Sequence, residues 1–203
     1  VLGARSLGIY GLNVTMPHKV NIIQYLDRLD ETARKVGAVN TVLNDAEMVG
    51  YNTDGLGALN ALKDFGADPH GRKVVILGAG GASRSISFAI AQNARELIML
   101  NRTPEKAEML ANTISTMTGT KVRWGELSGE ILSEELKDTS ILINATSVGM
   151  HPNESETPID KRLLRRDQTV FDLVYNPLET KLLKEARSVG VRIIDGLTML
   201  VYQ

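Results

Sequence analysis

Lys73-Val-Val-Ile-Leu77, followed at once by Gly78-Ala-Gly80-Gly81-Ala-Ser83, is the stretch that decides the fold. The continuous apolar run predicts a strand covered on both faces, as in a parallel sheet. The small residues after it predict a tight turn into a helix beginning near Ala82. Gly78 permits the turn, and Gly80 lets the backbone approach a pyrophosphate. The helix start then offers unpaired N–H groups and a positive dipole end to that anion. Ser83 stands where the G-x-G-x-x-G pattern has its third glycine. A glycine-rich loop alone is also read as a flexible turn; the strand before it and the helix after it favour a dinucleotide site. Gly78, Ala79, Gly80, Gly81, Ala82 and Ser83 are therefore cofactor-binding candidates.

Around this unit, short apolar runs alternate with helical patterns, the rhythm of a parallel α/β sheet. After Gly71 the predicted order is strand 73–77, helix 82–92, strand 96–100, helix 104–117, strand 121–124, strand 140–144, strand 169–173, helix 181–188 and strand 192–194. A last helix begins at Gly196. Before it, residues 11–15 read as a strand end. Pro17 opens a helix through about Leu29, and a second helix over 30–36 stops at Gly37. Strands follow at 40–43 and 48–51, then a helix from Thr53 to Phe65 ended by Gly66. The predicted class is α/β: a Rossmann-like doubly wound parallel sheet over 56–195, plus a smaller α/β substrate lobe from 1–55 and 196–203.

The second strand of the large lobe selects the cofactor. An NAD site places a carboxylate near that strand end to accept the ribose 2′-OH. Here strand 96–100 runs into Asn101-Arg102-Thr103, with Lys106 close behind. Two cations attract a 2′-phosphate that a carboxylate would repel, and Arg102 can bind it through two N–H groups. The plainer reading is a solvated cationic face; the position favours NADP.

In the small lobe, Gly11-Leu-Asn13-Val-Thr15-Met-Pro17-His-Lys19 is an odd core segment. A cation in a helix's first turn is disfavoured by about 0.3–1 kcal/mol, so Lys19 reads as kept for chemistry, or else as a surface lysine with its head in water. Asp54, at the next helix start, reads as a carboxylate partner for Lys19 or a simple cap. Asn40 reads as a substrate ligand or a strand-end residue. Converging, the three would suit a polyhydroxylated substrate, and the carboxylate would keep Lys19 charged and oriented.

Other chemistries are missing. Tyr10, Tyr25, Tyr51 and Tyr175 are followed four residues on by Val14, Leu29, Gly55 and Glu179, so no Tyr-x-x-x-Lys pair exists. There is no G-x-S-x-G turn and no Gly-Lys dipeptide of a P-loop. His18, His70 and His151 lack zinc-ligand spacing, and no metal is expected. Without cysteine there is no disulfide, thiol catalysis or thiolate site. The 203 residues carry a net charge of −1, with 43% hydrophobic and 23% charged residues. That mixture excludes disorder, collagen and coiled coil, and exerts no general pull toward nucleic acid. No apolar run reaches the roughly 18 residues of a membrane span. A cytoplasmic home and no leader are expected, with the natural N-terminus upstream of Val1.

Taken together, the motifs resemble the shikimate dehydrogenase family. They are, in order, Asn13-Val-Thr15-x-Pro17-x-Lys19, Val39-Asn40-Thr41, Asn52-Thr53-Asp54-Gly55, Gly78 to Ser83 and Asn101-Arg102-Thr103. Asn144-Ala-Thr146-Ser-Val-Gly149-Met150, Asp172-Leu-Val-Tyr175-Asn-Pro177 and Gly196-Leu-x-Met199-Leu-Val-x-Gln203 continue the series. The resemblance implies NADPH-dependent reduction of 3-dehydroshikimate to shikimate in aromatic amino acid biosynthesis. It implies Lys19 and Asp54 as the catalytic pair. Thr15, Asn40, Asp54, Tyr175 and Gln203 would contact substrate. Asn144, Thr146, Ser147 and Met199 would lie on the nicotinamide side of the cofactor. It also implies a first strand with a Ser-x-Ser motif before Val1 and a closing helix beyond Gln203, and hence a fragment or a partly ordered chain. Lys106 stands where many relatives carry arginine. Rival readings are a quinate/shikimate dehydrogenase using NAD and a non-catalytic nucleotide-binding module. A monomer or homodimer is expected.

Overall fold

The computed structural model describes every residue except Met16, and the backbone alone of Leu2. The chain runs α1 (Leu2–Ser6), β1 (Gly11–Asn13), a 3-10 helix (Asn21–Tyr25), β2 (Arg28–Leu29), α2 (Glu31–Val36), β3 (Thr41–Asn44), β4 (Met48–Tyr51) and α3 (Asp54–Asp64). It continues β5 (Lys73–Leu77), α4 (Gly81–Ala91), β6 (Glu96–Asn101), α5 (Pro104–Thr118), β7 (Val122–Glu126), α6 (Gly129–Glu135) and β8 (Ile141–Asn144). A 3-10 turn (Lys161–Leu163), β9 (Thr169–Asp172), α7 (Lys181–Val189), β10 (Arg192–Ile194) and α8 (Gly196–Tyr202) complete it.

Six strands form one parallel sheet in the order β10-β9-β8-β5-β6-β7. Its core follows from the two-residue period of a strand. Val74, Ile76, Leu97, Met99, Ile141 and Ile143 point to the face covered by α3, α4, α5 and α8. Val75, Leu77, Ile98, Leu100, Leu142 and Val170 point to the face covered by α6 and α7. Both faces of β5 are fully buried. The strand order reverses between β5 and β8, so the loops after them open a crevice at the carboxyl edge of the sheet.

The small lobe is a mixed four-stranded sheet, order β1-β3-β4-β2, with β2 parallel to β4 and the other pairs antiparallel. Ile22, Ala33, Val39, Val42 and Met48 form its core. No helix among the described residues is long and apolar enough to cross a membrane.

The large sheet follows the predicted order, but the small lobe departs from it. The expected helix from Pro17 to Leu29 is a turn, a 3-10 helix and the short strand β2. Val20, Ile22 and Ile23 are β-branched and weaken a helix there. Tertiary contacts then claim the backbone: the Lys19 carbonyl accepts from Val39 N at 2.8 Å, and Met48 N donates to the Asp27 carboxylate at 2.7 Å. Lys19 thus precedes a 3-10 helix and occupies no α-helical first turn, which removes the dipole argument for it. Helices α1 and α6 were not expected.

Candidate active site

Asp54 is the first residue of α3 and is fully buried. Its carboxylate caps nothing; the preceding Thr53 holds the cap position. Oδ2 accepts from Lys19 Nζ at 2.6 Å, and Oδ1 accepts from Asn40 Nδ2 at 2.8 Å. The Lys19 side chain is 16% exposed, while that of its partner is fully buried.

Asn40 organises the cluster. Its amide also donates to Thr53 Oγ1 at 2.9 Å, while its oxygen accepts from Thr53 N and Thr41 Oγ1, each at 3.0 Å. Asn52 ties the same turn together, donating to the Ala38 carbonyl and accepting from Asp54 N. A removed partner here leaves a buried carboxylate uncompensated, which is strongly destabilising. The geometry therefore fixes one ammonium against one carboxylate at the lobe edge.

Helix α3 joins that pair to the large lobe. A methyl group at Gly55 would stand 2.7 Å from the Ser85 carbonyl of α4, so α3 and α4 touch backbone to backbone beside Asp54. Arg84 of α4 also donates to the Val36 carbonyl of the small lobe at 3.2 Å. On its other side α3 meets α8: a methyl at Gly57 would lie 3.0 Å from Gln203 Cγ. This places Gln203 near the start of α3. Thr15 is exposed in the segment after β1, and Tyr175 is half exposed beyond β9. Met199, by contrast, is packed into the core at 5% exposure.

The glycine turn has the shape an anion needs. Gly78 adopts φ +104, and an added methyl would meet the Ala145 carbonyl at 2.9 Å, so only glycine fits between β5 and the loop after β8. Gly80 and Gly81 have open space where a side chain would stand. No side chain caps α4, so its first-turn N–H groups remain available. Ser83 is buried and donates to the Gly78 carbonyl at 2.7 Å, which accounts for serine in place of the third glycine. At the end of β6, Asn101 donates to the Thr103 carbonyl and shapes the turn. Arg102, Thr103 and Lys106 are exposed there, and neither cation makes an ion pair among the described residues. These residues fit a phosphorylated dinucleotide.

Across the crevice, Asn144 at the end of β8 accepts from Thr146 N and Oγ1, and Val148 N donates to Thr146 Oγ1. Ser147 is exposed at the tip of this loop. Asn144 Nδ2 in turn donates to Asp172 Oδ1 at 2.9 Å. Asp172 is fully buried, and burial pushes its carboxyl up to about 6, against hydrogen bonds that favour the ionised form. Sequence reasoning gave Asp172 no role; its signal exists only in three dimensions.

Residues 60–195 match the family described as shikimate / quinate 5-dehydrogenase, and residues 1–42 match the shikimate dehydrogenase substrate binding domain. The chain belongs to the shikimate dehydrogenase family. It is 48% identical to the shikimate dehydrogenase (NADP(+)) of Methanocaldococcus jannaschii, over 99% of this chain and 71% of that protein. A crystal structure of a shikimate dehydrogenase in complex with NADP+ superposes with a TM-score of 0.91 at 45% identity, covering 98% of this chain and 70% of that one. The shikimate 5-dehydrogenase from Listeria monocytogenes, in complex with shikimate and NAD, gives 0.90 at 39% identity, covering 99% of this chain and 72% of that one.

Proposed function

We infer that this chain is an NADP-dependent shikimate dehydrogenase, catalysing the reversible reduction of 3-dehydroshikimate to shikimate in aromatic amino acid biosynthesis. The observation that carries the inference is the 2.6 Å contact between Lys19 and the buried Asp54. The two residues come from separate stretches of the chain and meet on the helix that packs against the dinucleotide helix.

NADPH, when bound, supplies the hydride. Gly78, Ala79, Gly80, Gly81, Ala82 and Ser83 would hold its pyrophosphate, and Asn101, Arg102, Thr103 and Lys106 its 2′-phosphate and adenine end. Asn144, Thr146 and Ser147 would border the nicotinamide. Met199, 5% exposed at the core side of α8, would approach the same face of the cofactor. Lys19 Nζ would point at the substrate carbonyl oxygen, polarise it, and deliver a proton as negative charge develops there. Asp54 holds the ammonium in one direction and would accept a hydrogen bond from the neighbouring hydroxyl. Asn40 fixes Asp54 and, with Thr15, Tyr175 and Gln203, would complete the substrate contacts. Residues 1–55 and 196–203 would form the substrate lobe and 56–195 the nucleotide lobe. A cytoplasmic monomer or homodimer is the setting this reading expects.

The test is a matrix of initial rates on shikimate and quinate, each with NADP+ and NAD+. The reading predicts the highest kcat/KM for shikimate with NADP+. A preference for quinate with NAD+ would establish the broader quinate/shikimate activity instead, and binding without turnover on either substrate would leave a nucleotide-binding module.

A further inference from the structure

We propose that Asp172 is a positioning residue: its buried carboxylate ties the loop of residues 144–150 to the start of α7 and so holds that loop beside the dinucleotide turn. The proposal rests on the reading above, in which this loop borders the nicotinamide.

Three donors converge on Asp172. Asn144 Nδ2 and Val174 N donate to Oδ1 at 2.9 and 3.1 Å, and Thr180 Oγ1 donates to Oδ2 at 2.6 Å. Thr180 is itself buried and caps α7 through Leu183 N. Asn144 passes the constraint on through Thr146 to Val148. The far end of the loop also touches the same helix start: a methyl at Gly149 would lie 3.6 Å from Thr180 Cβ. At its near end the loop presses on the dinucleotide turn, with the Ala145 carbonyl 2.9 Å from a methyl built on Gly78. One carboxylate therefore links a rigid helix to a loop that walls the cofactor crevice.

Among the described residues, no cation pairs with Asp172. The groups that face it are Asn144 from β8, the Val174 backbone and Thr180 from α7, all neutral. The acid next to Thr180, Glu179, pairs with Arg187 at 2.6 Å. A buried carboxylate with no counter-ion is costly to the fold. A neutral isostere would fill the space without that cost, so the charge answers to the loop and not to stability. A proton on Oδ2 would oppose the Thr180 hydroxyl, and one on Oδ1 would set a donor against the Asn144 amide and the Val174 N–H; either loosens the tie to the loop. Burial places that event near pH 6.

The experiment compares wild type, Asp172→Asn, Thr180→Val and Thr180→Ser in steady-state turnover from pH 5 to 9, with hydrogen exchange read on the amides of 145–149. Asp172→Asn should lower kcat about tenfold at pH 8 through misplacement of the loop. It should also lose the acid limb near pH 6 that wild type shows, without a fall in melting temperature. Thr180→Val should follow it, and Thr180→Ser should stay within twofold of wild type. Loop exchange should quicken in Asp172→Asn at pH 8 and in wild type at pH 5. An Asp172→Asn enzyme with wild-type kcat, the same acid limb and unchanged loop exchange overturns the proposal. So does one that melts lower while its pH profile and loop exchange stay put. If wild type turns over no substrate at all, the functional reading fails while the exchange measurement still decides the tie.

Discussion

Asp172 also gives an unusual dependence of stability on pH. In the unfolded chain its carboxyl titrates near the ordinary 3.8; in the fold burial moves it to about 6. Between these values the folded protein holds a proton that the unfolded chain has released. Stability from this group therefore falls as pH rises from about 4 to 6, and the full cost is present above 6. The gap of about two pH units, at about 1.36 kcal/mol each, corresponds to roughly 3 kcal/mol. Other acids act in the opposite direction: Asp138, hydrogen-bonded to Lys73, and Asp27, accepting from the Met48 backbone, are both held below the usual range. The difference between wild type and Asp172→Asn isolates the one group. Urea unfolding of both proteins at pH 4.5 and pH 7.5 should show wild type losing ground to the variant by about 2 kcal/mol on going to the higher pH. A difference that is flat with pH, or that moves in favour of wild type as pH rises, refutes the argument.

Two further substitutions address the cofactor crevice. Gly78→Ala places a side chain at φ +104 and against the Ala145 carbonyl, so NADP+ affinity by calorimetry should fall at least about tenfold, with strain of about 1–3 kcal/mol in the turn. Arg102→Ala removes the forked donor at the end of β6, so KM for NADPH should rise about tenfold or more while KM for NADH changes little. Equal losses on both cofactors would remove the 2′-phosphate argument.

The large sheet was legible because its signals are local and repeated. β5 and β8 are short apolar runs, and glycine or proline punctuates the helices around them. Residues 17–29 were misread because Pro17 and the spacing of Val20, Ile23 and Leu29 imitate a helix start. The competing partners, Val39 N, Met48 N and the edge of β4, lie 20 or so residues away. Helix α6 carries a readable cap, Ser128 accepting from Ile131 N, but spans only seven residues. Lys19, Asn40 and Asp54 were nameable as types suited to a polyol substrate, yet nothing in their spacing required them to meet. Their convergence follows from β3 and β4 delivering Asn40 and Asn52 to the start of α3. Asp172 stands in one of the motifs, but its role was unreadable for the same reason: its three donors come from β8, the chain after β9, and the cap of α7.

The Lys19 ammonium held against the buried Asp54 is the center of the account, and Lys19→Ala tests it directly. The variant should be less stable, because Asp54 is left buried without its counter-charge, but in the folded protein NADPH affinity should stay within twofold of wild type, since Lys19 lies outside the dinucleotide turn. The kcat for 3-dehydroshikimate should fall about 10²–10⁴-fold, the range expected when a positioned proton donor is removed. A variant that binds NADPH normally and turns over at the wild-type rate would contradict it.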